Sequence, residues 1–161
     1  MRAMRYAPEC YDEHLTLKVP VMLWLTLAFL VRHLLLLGVT FMPTTGQEIT
    51  VLRNLIRPEF VLADLIALPV LLVALRRRPE APDWMRRIWR AGRPLLTVSA
   101  LLYLGLLGWS QIRSGERLVD AVDEAVLISV LLTLAALAYL WRSPLVADLF
   151  REFPARPGAR A

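Results

Sequence analysis

Four long apolar stretches, separated by polar segments dense in arginine, dominate the order of residues along the chain. A helix needs about 20 apolar residues to cross roughly 30 Å of hydrocarbon while satisfying its own backbone, so each stretch predicts a spanning helix. The first runs over about 19–42, with Pro20 in its first turn, where a missing N–H costs little, and Pro43 at its end. The second, about 59–75, follows Pro58; it is short, carries Asp64 and Pro69, and stops at Arg76, Arg77 and Arg78. Pro69 is expected to kink it. The third covers about 95–112 after Pro94, and the fourth about 122–141, ending at Arg142, Ser143 and Pro144. Trp109 and Trp141 stand where an aromatic belt is expected.

Two connecting segments have a pattern of their own. Between Asp83 and Gly92, Trp84, Met85, Ile88 and Trp89 recur at helical spacing, with Arg86, Arg87 and Arg90 among them. That describes a short basic amphipathic helix lying at the headgroups, with Trp84, Arg86, Arg87, Trp89 and Arg90 as an interfacial anchor. In 46–57, Ile49, Leu52, Leu55 and Ile56 are spaced for a surface helix or a cap on the bundle.

Composition agrees with a membrane protein. Hydrophobic residues make up 57% of the 161 positions and mean hydropathy is +0.51, too apolar for an ordinary soluble domain. A net charge of +5 and a pI near 10.1 would raise the question of nucleic acid, but the basic residues sit between apolar runs and report orientation instead. One side holds fourteen of them: Arg2, Arg5, Lys18, seven from Arg76 to Arg93, Arg142, Arg151, Arg156 and Arg160. The other holds four, Arg53, Arg57, Arg113 and Arg117. The positive-inside rule then predicts a cytoplasmic N-terminal segment (1–18), a cytoplasmic central loop and a cytoplasmic C-terminus. The expected fold is all-α, a single membrane domain over 1–161 with four transmembrane helices in an antiparallel bundle, N-in and C-in, and a disordered tail over 154–161. No cleavage site follows the first apolar run, which is read as a retained span.

Ionisable residues at membrane depth are the sharpest chemical clue, since each costs a few kcal/mol or more unless paired or wet. There are three: Arg32, His33 and Asp64. At about 1.5 Å rise per residue, Arg32 on an ascending first helix and Asp64 on a descending second one reach similar depth. The expectation is an Arg32–Asp64 pair clamping the first two helices, with His33 turned about 100° away from Arg32. The competing expectation is a proton or ion relay.

Other chemistry finds little support. Cys10 stands alone, so neither an internal disulfide nor a paired-cysteine redox site is available. His14 is the only other histidine and lies outside the spans, which leaves His33 without a partner for haem, and no zinc set is assembled. Asp120, Asp123 and Glu124 behind Arg113 and Arg117 read as helix-end charges more readily than as a cation site. Ala121, Ala125, Ser129 and Thr133, with Gly105 and Gly108, argue close helix packing. Ser99 or Ser129 with His33 does not amount to a nucleophile and its base, so no enzyme and no cofactor is expected.

Tyr11, Asp12, Leu17, Lys18, Pro20, Trp24, Arg32 and His33, followed by Arg57, Pro58, Glu59, Phe60, Leu68 and Pro69, resemble the YfeZ-like family of small uncharacterised bacterial inner-membrane proteins. The resemblance implies a four-helix inner-membrane protein beginning near Tyr11 and implies no catalytic residues. Together these readings predict a non-enzymatic accessory or interaction protein of the inner membrane. Its expected partners are anionic lipid headgroups at the cytoplasmic face and a membrane protein or a second copy, with no nucleic acid. The alternative is a small oligomeric transporter or channel using Arg32, His33 and Asp64 as its polar path.

Overall fold

The computed structural model describes residues 6–11, 16–40, 58–113 and 124–154. The segment 46–57, the charges Arg117, Asp120 and Asp123, the small residue Ala121 and the tail after Pro154 lie outside them. Among the described residues there are seven α-helices: α1 (Val21–Leu30), α2 (Arg32–Thr40), α3 (Pro58–Leu75), α4 (Asp83–Arg90), α5 (Gly92–Arg113), α6 (Glu124–Arg142) and α7 (Pro144–Arg151).

The first apolar run is not one straight span. It breaks at Val31, and α1 and α2 meet at a 68° bend. No proline or glycine stands there; the polar pair Arg32 and His33 follows it directly, and both side chains take part in the contacts around the bend. Pro20 opens α1 in extended geometry, its carbonyl accepting from Leu23 and Trp24 N–H at 2.9 and 3.2 Å.

Short, acidic and proline-bearing, α3 is nevertheless the central helix of the fold. It begins at Pro58, continues through Pro69 as one helix, and packs against α1, α2, α4 and α5. Small side chains permit this: Ala63, Ala67 and Ala74 are buried, with Val70 and Val73 between them. Its opposite stripe, Leu62, Leu65, Leu72 and Leu75, is 47–63% exposed. α6 packs chiefly on α5 and α7 and leaves Leu127, Ile128, Leu131, Leu132 and Leu134 open. Apolar exposure on this scale suits hydrocarbon, not water. By length and composition α5 and α6 can each cross a membrane, and the bent pair α1–α2 makes a third span if counted as one.

The chain continues past the fourth apolar run into α7, where the sequence pattern predicts only a stop at Pro144. Ser143 caps α7 by accepting the Val146 N–H, and Pro144 occupies its first turn. Val146, Leu149 and Phe150 are buried against α4 and α5. Gly92, where α5 begins, is required by this contact: a Cβ there would stand 2.8 Å from Phe150 Cδ1, closer still to its Cε1, and 3.2 Å from Val70 Cγ1. The N-terminal segment closes the same end, with Tyr6 Oη donating to Asp148 Oδ2 at 2.8 Å and Lys18 N–H to Cys10 O at 2.8 Å.

Candidate functional site

A helix break strands backbone groups that an intact helix would pair, and in an apolar interior each must find another partner. At Val31 two of these are the Phe29 carbonyl, whose regular partner is the His33 N–H, and the Leu34 N–H, whose regular partner is the Leu30 carbonyl. Each is met by a charged side chain. Arg32 Nη1 donates to Phe29 O at 2.9 Å, and Asp64 Oδ2 accepts from Leu34 N at 3.0 Å. A cation therefore sits at the C-terminus of α1 and an anion at the N-terminus of α2, the arrangement that both helix dipoles favour.

The Arg32–Asp64 pair expected from matched depth does not form. Asp64, 2% exposed, instead faces His33, whose Nδ1 lies 3.2 Å from Oδ1; with the proton on Nδ1 this is a hydrogen bond to the carboxylate. The break is the reason: it turns His33 toward α3 and gives Arg32 a backbone carbonyl and two aromatic faces. The Arg32 guanidinium carbon sits 4.2 Å from the Phe29 ring centroid and 4.4 Å from that of Tyr103. Its Nη2 is buried without a hydrogen-bond partner among the described residues.

Aromatic packing fixes the imidazole. His33, Phe60 and Tyr103 stack mutually, with ring centroids 5.3, 5.7 and 5.2 Å apart, at the small core formed by Phe60, Ala63, Tyr103 and Leu107. Beside it Ser99 Oγ donates to Ala63 O at 2.8 Å, so this hydroxyl ties α5 to α3 and is not presented to His33. Thr133 and Thr26 likewise donate to carbonyls one turn back, Ser129 O and Met22 O. Among the described residues no group of three or more His, Cys, Asp or Glu is placed to hold a metal ion. What the cluster can do chemically is hold two helix ends together and, through the His33–Asp64 contact, pass a proton between imidazole and carboxylate.

The amphipathic segment forms a helix, α4, whose apolar face is turned into the protein. Trp89 is fully buried, its ring 4.8 Å from Phe150, and Nε1 donates to Leu149 O at 2.9 Å and Glu152 O at 3.1 Å. Arg86 turns inward too, donating to Pro79 O at 2.8 Å and lying over the Phe153 ring. The apolar face expected to enter lipid is covered by α7. Only Trp84, Arg87 and Arg90 of the anchor set stay exposed.

Arg77 and Arg93, which by sequence are only orientation signals, have structural contacts. Arg77 Nη1 donates to Leu17 O at 2.6 Å and Nη2 to Glu152 O at 2.8 Å, with its guanidinium carbon 5.0 Å from the Trp89 ring. Arg93 Nε and Nη2 donate to Leu140 O and Trp141 O, at 2.9 and 3.0 Å, and the guanidinium covers the Trp141 ring at 4.3 Å. Arg93 serves the last carbonyls of α6, and Arg77 serves one just beyond the C-terminus of α7 and one, Leu17 O, in the segment before α1; the contacts at helix ends repeat the task of Arg32.

Apolar outward faces, helices long enough to span, and charged side chains turned onto helix ends define a helical protein suited to the membrane. Its family can be stated: a profile described as "Protein of unknown function (DUF2919)" matches residues 6–152, and the chain belongs to that family. No curated protein and no solved structure matches it.

Proposed function

We propose that the chain is a non-enzymatic accessory protein of the bacterial inner membrane, with four spans and both termini in the cytoplasm, acting through its surfaces on a larger membrane assembly. On this reading α3, whose 18 residues cover about 27 Å at 1.5 Å each, crosses with α5, α6 and the bent α1–α2 pair. The basic residues crowd the α4 end, which favours that end as cytoplasmic. The YfeZ-like resemblance points to the same location. A single observation carries the proposal: both oxygens of Asp64 and the freed carbonyl of Phe29 are taken by groups of the chain itself, so Asp64 and the Nη1 of Arg32 are engaged in holding the fold.

The test is cross-linking in intact membranes, extraction in mild detergent and identification of neighbours. A stoichiometric membrane-protein neighbour is expected; a consistently solitary monomer overturns the proposal. An outward reporter at Pro82 would overturn the orientation. A second reading, a small oligomeric transporter or channel, is favoured by the broken first span and the Arg32 Nη2 left without a partner among the described residues, since discontinuous helices often build substrate sites at membrane depth. Solute or proton flux in proteoliposomes that disappears in Asp64→Asn, with folding intact, would replace the first reading with this one.

A further inference from the structure

All of the chain's net charge belongs to one short stretch. Residues 76–93 carry seven arginines against Glu80 and Asp83, a net of +5, and the remaining twelve basic and twelve acidic residues balance. The structure divides these seven arginines in two. Arg77, Arg86 and Arg93 are bound to carbonyls and stacked on aromatic rings. Arg76, Arg78, Arg87 and Arg90 are exposed, and their side chains make no hydrogen bond or ion pair among the described residues.

Two of the four lie on one ridge. On α4 the buried positions are Met85 and Trp89; the exposed ones are Asp83 at its first residue and then Trp84, Arg87 and Arg90, which recur three apart. This ridge follows the end of α3 at Leu75 by a short loop and precedes the start of α5 at Gly92 by one residue. On the membrane reading it therefore stands close in the chain to where two apolar helices leave the hydrocarbon, a separation comparable to the roughly 8 Å over which charges act in physiological salt. Guanidinium forks match phosphate oxygens in geometry, and an exposed tryptophan beside them suits the headgroup layer.

We infer that Trp84, Arg87 and Arg90, with Arg76 and Arg78, form a binding surface for the phosphate headgroups of anionic phospholipids in the leaflet where α3 ends and α5 begins. The inference rests on the membrane reading above and adds to it a ligand class and named residues. It also separates arginines that bind lipid from arginines that hold the fold.

The test uses the full chain in mild detergent, with phosphatidylglycerol and phosphatidylcholine offered together and the retained lipid measured by native mass spectrometry. Wild type is expected to enrich phosphatidylglycerol. R87Q/R90Q should lower the enrichment about 25-fold, at about fivefold for each basic residue near an anionic surface. R113Q, at the other end of α5, should leave it unchanged. Helical circular dichroism and melting confirm the fold of each variant, and R76Q/R78Q gives a second reading if R87Q/R90Q does not fold. Equal retention of both lipids by wild type, or unchanged enrichment in both double variants, overturns the inference. So does capture of a single-stranded oligonucleotide without phosphatidylglycerol enrichment, which would assign the surface to a soluble polyanion. A chain that fails to fractionate with membranes at all defeats the membrane reading itself; one that does so without lipid preference defeats only this inference.

Discussion

Asp64 and Leu34, thirty residues apart in sequence, are joined by a 3.0 Å hydrogen bond from the Leu34 N–H to the carboxylate, so a side chain on α3 caps the first turn of α2. Both break residues on the α2 side, His33 and Leu34, converge on the same carboxylate. Removing it leaves an imidazole N–H and a backbone N–H unsatisfied in an apolar interior, a loss of about 1–3 kcal/mol for each buried group. Asp64→Ala is expected to destabilise the protein by about 2–4 kcal/mol, and Asp64→Asn, which keeps an acceptor but loses the charge at the helix end, by about half as much. Unfolding titrations in detergent, followed by helical circular dichroism, measure this. Equal stability of Asp64→Ala and wild type would show that the cap contributes nothing.

The pairing itself is open to a coupling measurement. Directly bonded partners couple by about 0.5–3 kcal/mol in double-mutant cycles. His33 touches Asp64, whereas Arg32 is held by Phe29 and Tyr103. The His33→Ala/Asp64→Ala cycle should therefore show the larger coupling, and the Arg32→Ala/Asp64→Ala cycle the smaller. The reverse order would reinstate the ion pair that depth matching alone suggests.

This contrast shows which parts of the fold local sequence could reveal. Apolar runs, Pro58 and the arginine clusters announce helices and their ends, because hydrophobic length and a missing N–H act within a few residues. The break at Val31 has no proline or glycine to announce it: Arg32 and His33 mark the place only as polar residues in an apolar run, and the carboxylate capping its far side comes from another helix. Trp89 is instructive for a different reason. Its place on an amphipathic helix is readable from spacing, but periodicity cannot say whether lipid or protein covers the apolar face. That depends on α7, whose start at Ser143 and Pro144 reads only as a stop for the preceding run, although a serine followed by proline also suits a helix N-terminus.

Glycines on α5 provide an internally controlled prediction. Gly92→Ala forces a methyl against Phe150 and Val70, and overpacking of this kind costs about 1–3 kcal/mol. At Gly105 and Gly108 an added methyl would meet nothing within 4 Å, so Gly105→Ala and Gly108→Ala should be neutral or stabilising by up to about 1 kcal/mol through helix propensity. Thermal melts of the three variants in one detergent compare them. Combining Gly92→Ala with Phe150→Leu should recover part of the loss, since the clash is with the phenyl edge.

Arg77 links three segments that are distant in sequence: Leu17 before α1, Trp89 on α4 and Glu152 after α7. Arg77→Ala removes two charge-assisted bonds, each worth about 1.5–3 kcal/mol, and exposes two carbonyls to poorer partners. Because both lost contacts anchor chain ends onto the α4 side of the bundle, the damage should be local. Hydrogen exchange is expected to rise in 16–18 and 144–152 by at least about tenfold, with the centre of α5 unchanged. Arg77→Lys should fall between, since a single ammonium cannot reproduce the planar fork reaching both Leu17 and Glu152. Arg78→Ala, one residue along and exposed, is the control: it should leave exchange at both ends as in wild type. If Arg77→Ala behaves like Arg78→Ala, the chain ends are held by Trp89, Phe150 and Tyr6 alone, and Arg77 joins the exposed arginines in having no part in the fold.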